Sequence, residues 1–98
     1  MFDIVKKAKV KSVDLAKLLN VSRVTVSLWL RGRRVPHHLL KARVDLLLEA
    51  IRMAEEAGTL PVSADTKQDE RFTKVRQAIE DELHDMGRTI YDVSGSDI

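Results

Sequence analysis

The chain contains no cysteine. Disulfides and thiolate metal sites are therefore excluded, and a reducing compartment is compatible with the composition. Aromatic residues are only 4% of the 98. Any core must be built from Leu, Val, Ile, Ala and Met, which points to packed helices. The four glycines lie apart, so no glycine-rich loop can cradle a phosphate. No apolar run approaches the ~20 residues of a membrane span, and the stretch from Met1 to Lys7 lacks the apolar centre of a secretory signal. A soluble, cytoplasmic protein is expected. Nothing in the sequence pairs a nucleophile with a base, and the three histidines (His37, His38 and His84) have no cysteine to complete a metal set. The chain is thus expected not to be an enzyme and to carry no metal and no cofactor.

What is present is hydrophobic residues at 44% and an uneven charge distribution beneath a net charge of +2. Residues 1–43 hold eleven Lys/Arg against Asp3 and Asp14, a balance of +9; residues 44–98 sum to −7. A basic half of this kind suits a polyanion, duplex DNA above all, while the acidic half suits solvent or another protein.

The periodicity predicts an all-α chain. Phe2, Val5 and Ala8 mark a first helix over 2–9. Ser12, with Asp14 in the first turn, reads as the cap of a second, ending near Leu19. Leu15, Ala16 and Leu19 give that helix an apolar face, and Val26, Trp29 and Leu30 give one to a third helix over 23–31. Asn20 suits the left-handed residue that ends the second helix, Val21 plugs the corner, and Ser22 caps the third. Gly32 is the next stop. Pro36 is expected to open a long helix, since proline is welcome at a first helical position. Its stripe is Leu40, Val44, Leu47, Ile51 and Ala54, widened by Leu39, Leu46, Leu48, Ala50 and Met53, and Gly58 ends it.

A linker over 59–65 comes next, then a helix opened by Thr66 and Asp69 as a capping box and ended by Gly87. Its stripe of Phe72, Val75, Ile79, Leu83 and Met86 continues to Ile90. A lone helix of this length is marginal in water, so the stripe must bury somewhere. Dimerisation is the expected use, with folding back or capture of another protein as alternatives. Glu80, Asp81, Glu82 and Asp85 form an acidic outer face. The domain plan is 1–58, a linker at 59–65, a helix region at 66–91 and a flexible tail at 92–98.

Residues 12–31 resemble the helix-turn-helix of the Cro and CI phage-repressor family, also called lambda-repressor-like. The likeness rests on a small residue at the fifth position (Ala16), a turn residue at the ninth (Asn20, where glycine is usual), and apolar residues at the fourth, eighth, tenth, fifteenth and eighteenth (Leu15, Leu19, Val21, Val26, Trp29). The run Val-Ser-X-X-Thr-Val-Ser-X-Trp-X-X-Gly, Val21 to Gly32, is characteristic of bacterial and phage members. With its flanking helices the likeness reaches about Gly58; nothing after Ser63 matches.

The resemblance implies a lambda-repressor-like bundle of about five helices, here with an added C-terminal helix. It implies a dimeric repressor of phage or prophage type, acting on bacterial DNA at a near-palindromic operator with its second motif helix in the major groove. It maps base reading onto Arg23, Val24, Ser27 and Leu28, and phosphate contact onto Ser22, Arg31, Arg33, Arg34, Lys11 and Lys17. Trp29 belongs to the core by its register. Two other readings stay open: an antitoxin-type autoregulator whose C-terminal segment binds a protein partner, and a protein-interaction module that does not touch DNA.

Overall fold

The computed structural model describes residues 2–95, and these form six helices and no strand. They are α1 (Asp3–Lys7), α2 (Ser12–Leu19), α3 (Arg23–Leu30), α4 (His38–Glu56), α5 (Gln68–Asp85) and α6 (Tyr91–Ser94). Among the described residues, no helix is long and apolar enough to cross a membrane.

Local chemistry accounts for the helix ends. At the close of α2, Asn20 adopts φ 58°, and the Val21 N–H reaches back to the Ala16 carbonyl at 3.0 Å. At the close of α3, Gly32 adopts φ 72°; its N–H donates to the Trp29 carbonyl and the Arg33 N–H to that of Leu28. These paired return bonds satisfy carbonyls that the helix itself leaves orphaned. The first helix stops the same way, but with Lys9 at φ 54°. That conformation is unfavourable for a residue with a Cβ, and it leaves α1 shorter than the apolar spacing predicts.

Two helix starts differ from expectation. Ser12 is the first residue of α2 rather than its cap; Lys11 is the cap, and the Asp14 carboxylate accepts its backbone N–H at 3.2 Å. Pro36 lies two residues ahead of α4 and is buried. The helix is capped instead by His37, whose Nδ1 accepts the Leu39 N–H at 3.2 Å.

α4 is the axis of the molecule. Its inner residues Val44, Leu47, Ala50, Ile51 and Ala54 are all buried, and α1, α5 and α6 each pack against it. The C-terminal half corrects the sequence-based plan. Val75, Ile79 and Leu83 lie inside this one chain at 2% exposure or less, while Phe72 and Met86 pack at the edge of the same core. The stripe assigned to dimerisation is therefore covered by α4 and α2 of its own chain. Val75, Ile79 and Leu83 are thus spent within this chain, while Phe72 and Met86 keep part of their surface in solvent.

The supposed linker is no free connection either. Leu60 is buried, and the Thr59 hydroxyl donates to the Ala54 carbonyl at 3.0 Å. Thr66 and Asp69 form no capping box, because α5 begins at Gln68 with Lys67 at its cap. The region expected to fray contains α6, in which Val93 is fully buried; residues 96–98 of the expected tail lie outside the described residues. One continuous core joins 2–58 to 60–93, so residues 66–91 are not a separate unit.

Candidate nucleic-acid interface

α3 is amphipathic across its two turns. Val26 and Trp29 point inward at 0% and 5% exposure, as the register of Trp29 requires, and the Phe2 ring stacks on Trp29 with centroids 6.2 Å apart. On the other side Val24 is 69% exposed, Arg23 and Arg31 are exposed, and Ser27 and Leu28 are half-buried. Val24, in the first turn of α3, thus stands in water beside Arg23, an apolar tip next to a cationic one. α3 packs its backbone chiefly on α2, and none of the other helices covers its outer face.

The start of α3 is fixed by Ser22. Its hydroxyl oxygen accepts the Thr25 N–H at 3.1 Å and shares a hydrogen with the Thr25 hydroxyl at 2.7 Å. The hydroxyl assigned to phosphate contact thus has a structural task as well. Ser22→Ala is expected to lower the unfolding free energy by about 1 kcal/mol, read as a reduced urea midpoint. Ser22→Asp keeps the cap and restores the midpoint.

The cations of the basic half divide into two groups. Lys7 pairs with Glu55 at 2.9 Å, and that carboxylate holds the ammonium above its ordinary range. Lys41 pairs with Asp45 at 2.8 Å. Lys17 is exposed and lies 4.9 Å from the centre of the Phe72 ring, so its ammonium rests beside α5. Arg43 is half-buried and donates to three backbone carbonyls. Its Nε donates to Val93 O at 2.7 Å, and Nη2 donates to Ser94 O at 2.8 Å and also to Leu19 O. By contrast, Lys6, Lys9, Lys11, Arg23, Arg31, Arg33 and Arg34 are exposed and, among the described residues, form no ion pair. Four of these seven, Arg23, Arg31, Arg33 and Arg34, flank or belong to α3.

No protein-family model, curated protein or solved structure matches the chain. The site is therefore judged on its own geometry: an exposed helix face carrying Arg23, Val24, Ser27 and Leu28, beside an exposed loop carrying Arg33 and Arg34.

Two contacts that the sequence reading missed hold this face in place. Asp14 is 1% exposed and receives both terminal nitrogens of Arg71, the Nη2 contact at 2.8 Å. The carboxylate raises the Arg71 guanidinium above its ordinary pKa, and the pair ties the first turn of α2 to α5. Arg43 ties the last turn of α2 to α6. The partners lie 57 residues apart in the first case, and 24, 50 and 51 apart in the second. No local pattern signals either. The acidic outer face of α5 is partly self-satisfied, with Arg76 on Glu80 at 2.7 Å and Gln77 on Asp81 at 2.9 Å. Among the described residues, no three His, Cys, Asp or Glu side chains gather to hold a metal.

Proposed function

We propose that this chain is a sequence-specific, duplex DNA-binding transcription regulator, with residues 12–31 acting as a lambda-repressor-like helix-turn-helix. The observation that carries the reading is the outer face of α3, where an exposed arginine and an exposed valine sit one residue apart on a helix whose opposite side is core. An α-helix fits the major groove, and its exposed side chains then meet base edges. Arg23 has the fork to donate to guanine O6 and N7. Val24 and Leu28 suit thymine methyls, and Ser27 takes either a donor or an acceptor. Arg31, Arg33, Arg34 and Lys11 supply phosphate contacts, which fix register without carrying sequence information.

One eight-residue helix reads few base pairs. Two copies on half-sites about one helical turn apart make a near-palindromic operator, and repression results where that operator overlaps a promoter. Among the described residues, the large apolar side chains most exposed away from the reading face are Val35, Leu39 and Tyr91, and these suit a contact between copies better than the buried part of the α5 stripe. The structured C-terminal half gives no support to an antitoxin-type tail that orders only on its partner.

The test is selection of bound duplexes from a random pool, and then affinity measurements across salt. Four phosphate contacts per copy predict a log–log salt slope of about −3 to −4 per copy. Arg33→Ala is expected to weaken all sequences alike and to flatten that slope by about 1, whereas Arg23→Ala costs roughly 1–3 kcal/mol at a single base position. No duplex binding at low salt, or an unchanged base preference in Arg23→Ala, overturns the proposal.

A further inference from the structure

α3 reaches the core through Val26 and Trp29, and the backbone it lies against is chiefly that of α2. α3 leans chiefly on α2, so the direction in which it presents Arg23 and Val24 is inherited from α2 through the single left-handed residue Asn20. The residue before that turn, Leu19, has its carbonyl taken by Arg43 Nη2. The same guanidinium holds the Val93 and Ser94 carbonyls at 2.7 and 2.8 Å. One planar cation thus gathers the carbonyl ends of α2 and α6, where backbone dipoles concentrate negative charge. A guanidinium is suited to this because its donors diverge in one rigid plane. Gly95 closes the arrangement: it adopts φ 79°, and a Cβ placed there would lie 3.3 Å from Arg43 Cζ and Nη1.

We propose that Arg43 is a positioning residue of the reading helix, one that fixes the end of α2 only while the C-terminal turn Tyr91–Ser94 is seated. Arg43 itself touches no DNA. It sets the angle at which α3 is offered to the groove, and it makes that angle depend on a segment about fifty residues further along the chain. Base reading needs this alignment; phosphate attraction from exposed loops does not. The inference builds on the DNA-reading proposal, but its first test does not require DNA.

That first test is amide hydrogen exchange on the full chain, comparing wild type with Arg43→Ala. Local opening and global unfolding are separable by which amides respond. The expected result is that amides of Val26 to Leu30 exchange about tenfold faster, beyond any change at the buried α4 residues Leu47 and Ile51. The second test is the ratio of affinity for a selected duplex to affinity for random duplex, expected to fall about tenfold while random-duplex affinity is held. Gly95→Ala presses on the same guanidinium without altering α2, α3 or Arg43. It is expected to shift both readouts in the same direction, and it answers the question should Arg43→Ala not fold. Exchange that rises equally throughout α3 and α4 overturns the proposal, as does a specificity ratio that stays constant. A wild-type chain that selects no duplex contradicts the DNA-reading function instead, and the exchange pattern alone then decides the role of Arg43.

Discussion

Arg71→Ala is expected to remove about 3–5 kcal/mol from the unfolding free energy, because it strands a carboxylate that is 1% exposed. Asp14 sits in the first turn of α2, where its other partner is the Lys11 N–H, and a single backbone donor does not compensate a buried charge. A domain of this size has a total stability of about 5–15 kcal/mol, so the variant should lose a large fraction of it and show a strongly reduced urea midpoint. The pair need not be stabilising in sum. Arg71 Nε is buried without a hydrogen-bond partner, and well-packed apolar replacements of both members of such a pair often match the original. Asp14→Leu combined with Arg71→Met should therefore recover most of the lost stability, short of the cap bond to Lys11. Urea unfolding of the two single variants and the double variant makes the measurement. A simple additive loss in the double variant would show that the pair is not coupled.

Ile79→Ala is the second large effect, at about 2–5 kcal/mol. Ile79 is fully buried in the centre of α5, and the substitution leaves a cavity between α5 and α4. The loss should be the same at low and high protein concentration, since the stripe is spent within one chain. For the same reason a chain ending after Gly58 should not hold its fold. It would lack Leu60, Val75, Ala78, Ile79, Leu83 and Val93, leaving the α4 stripe open to water. Loss of the helical circular dichroism signal in that truncation is the expected result; a cooperative thermal transition in it would contradict the single core.

The contrast between halves shows what a sequence exposes to inspection. The ends of α2 and α3 were legible because Asn20, Ser22 and Gly32 act on their own backbone, within a few residues. The α5 stripe was equally legible as a stripe. Periodicity reveals that a face is buried and is silent about what covers it, and so the folding-back of α5 onto α4 could not be told from dimerisation. α6 is four residues long, too short for any period, and Val93 carries its burial alone. Thr66 with Asp69 had a capping-box spacing, but the helix starts beyond Thr66 and the pattern goes unused. Arg43 was one cation among eleven in a basic half, and Asp14 an acidic residue in the first turn of α2. Their roles depend on partners far along the chain, and such pairs leave no trace in spacing. The outer side of α3 was legible for an opposite reason: Arg23, Val24, Ser27 and Leu28 fall away from the core once Val26, Trp29 and Leu30 turn inward.

The central claim is that this face, with the cationic loop behind it, meets duplex DNA. Amide shifts of the full chain during titration with a selected duplex test it most directly. The account predicts that the largest changes fall on Ser22 to Leu28 and on Arg31 to Arg34, with α5 and α6 little moved. Changes concentrated on α5, or none at all at low salt, would contradict it.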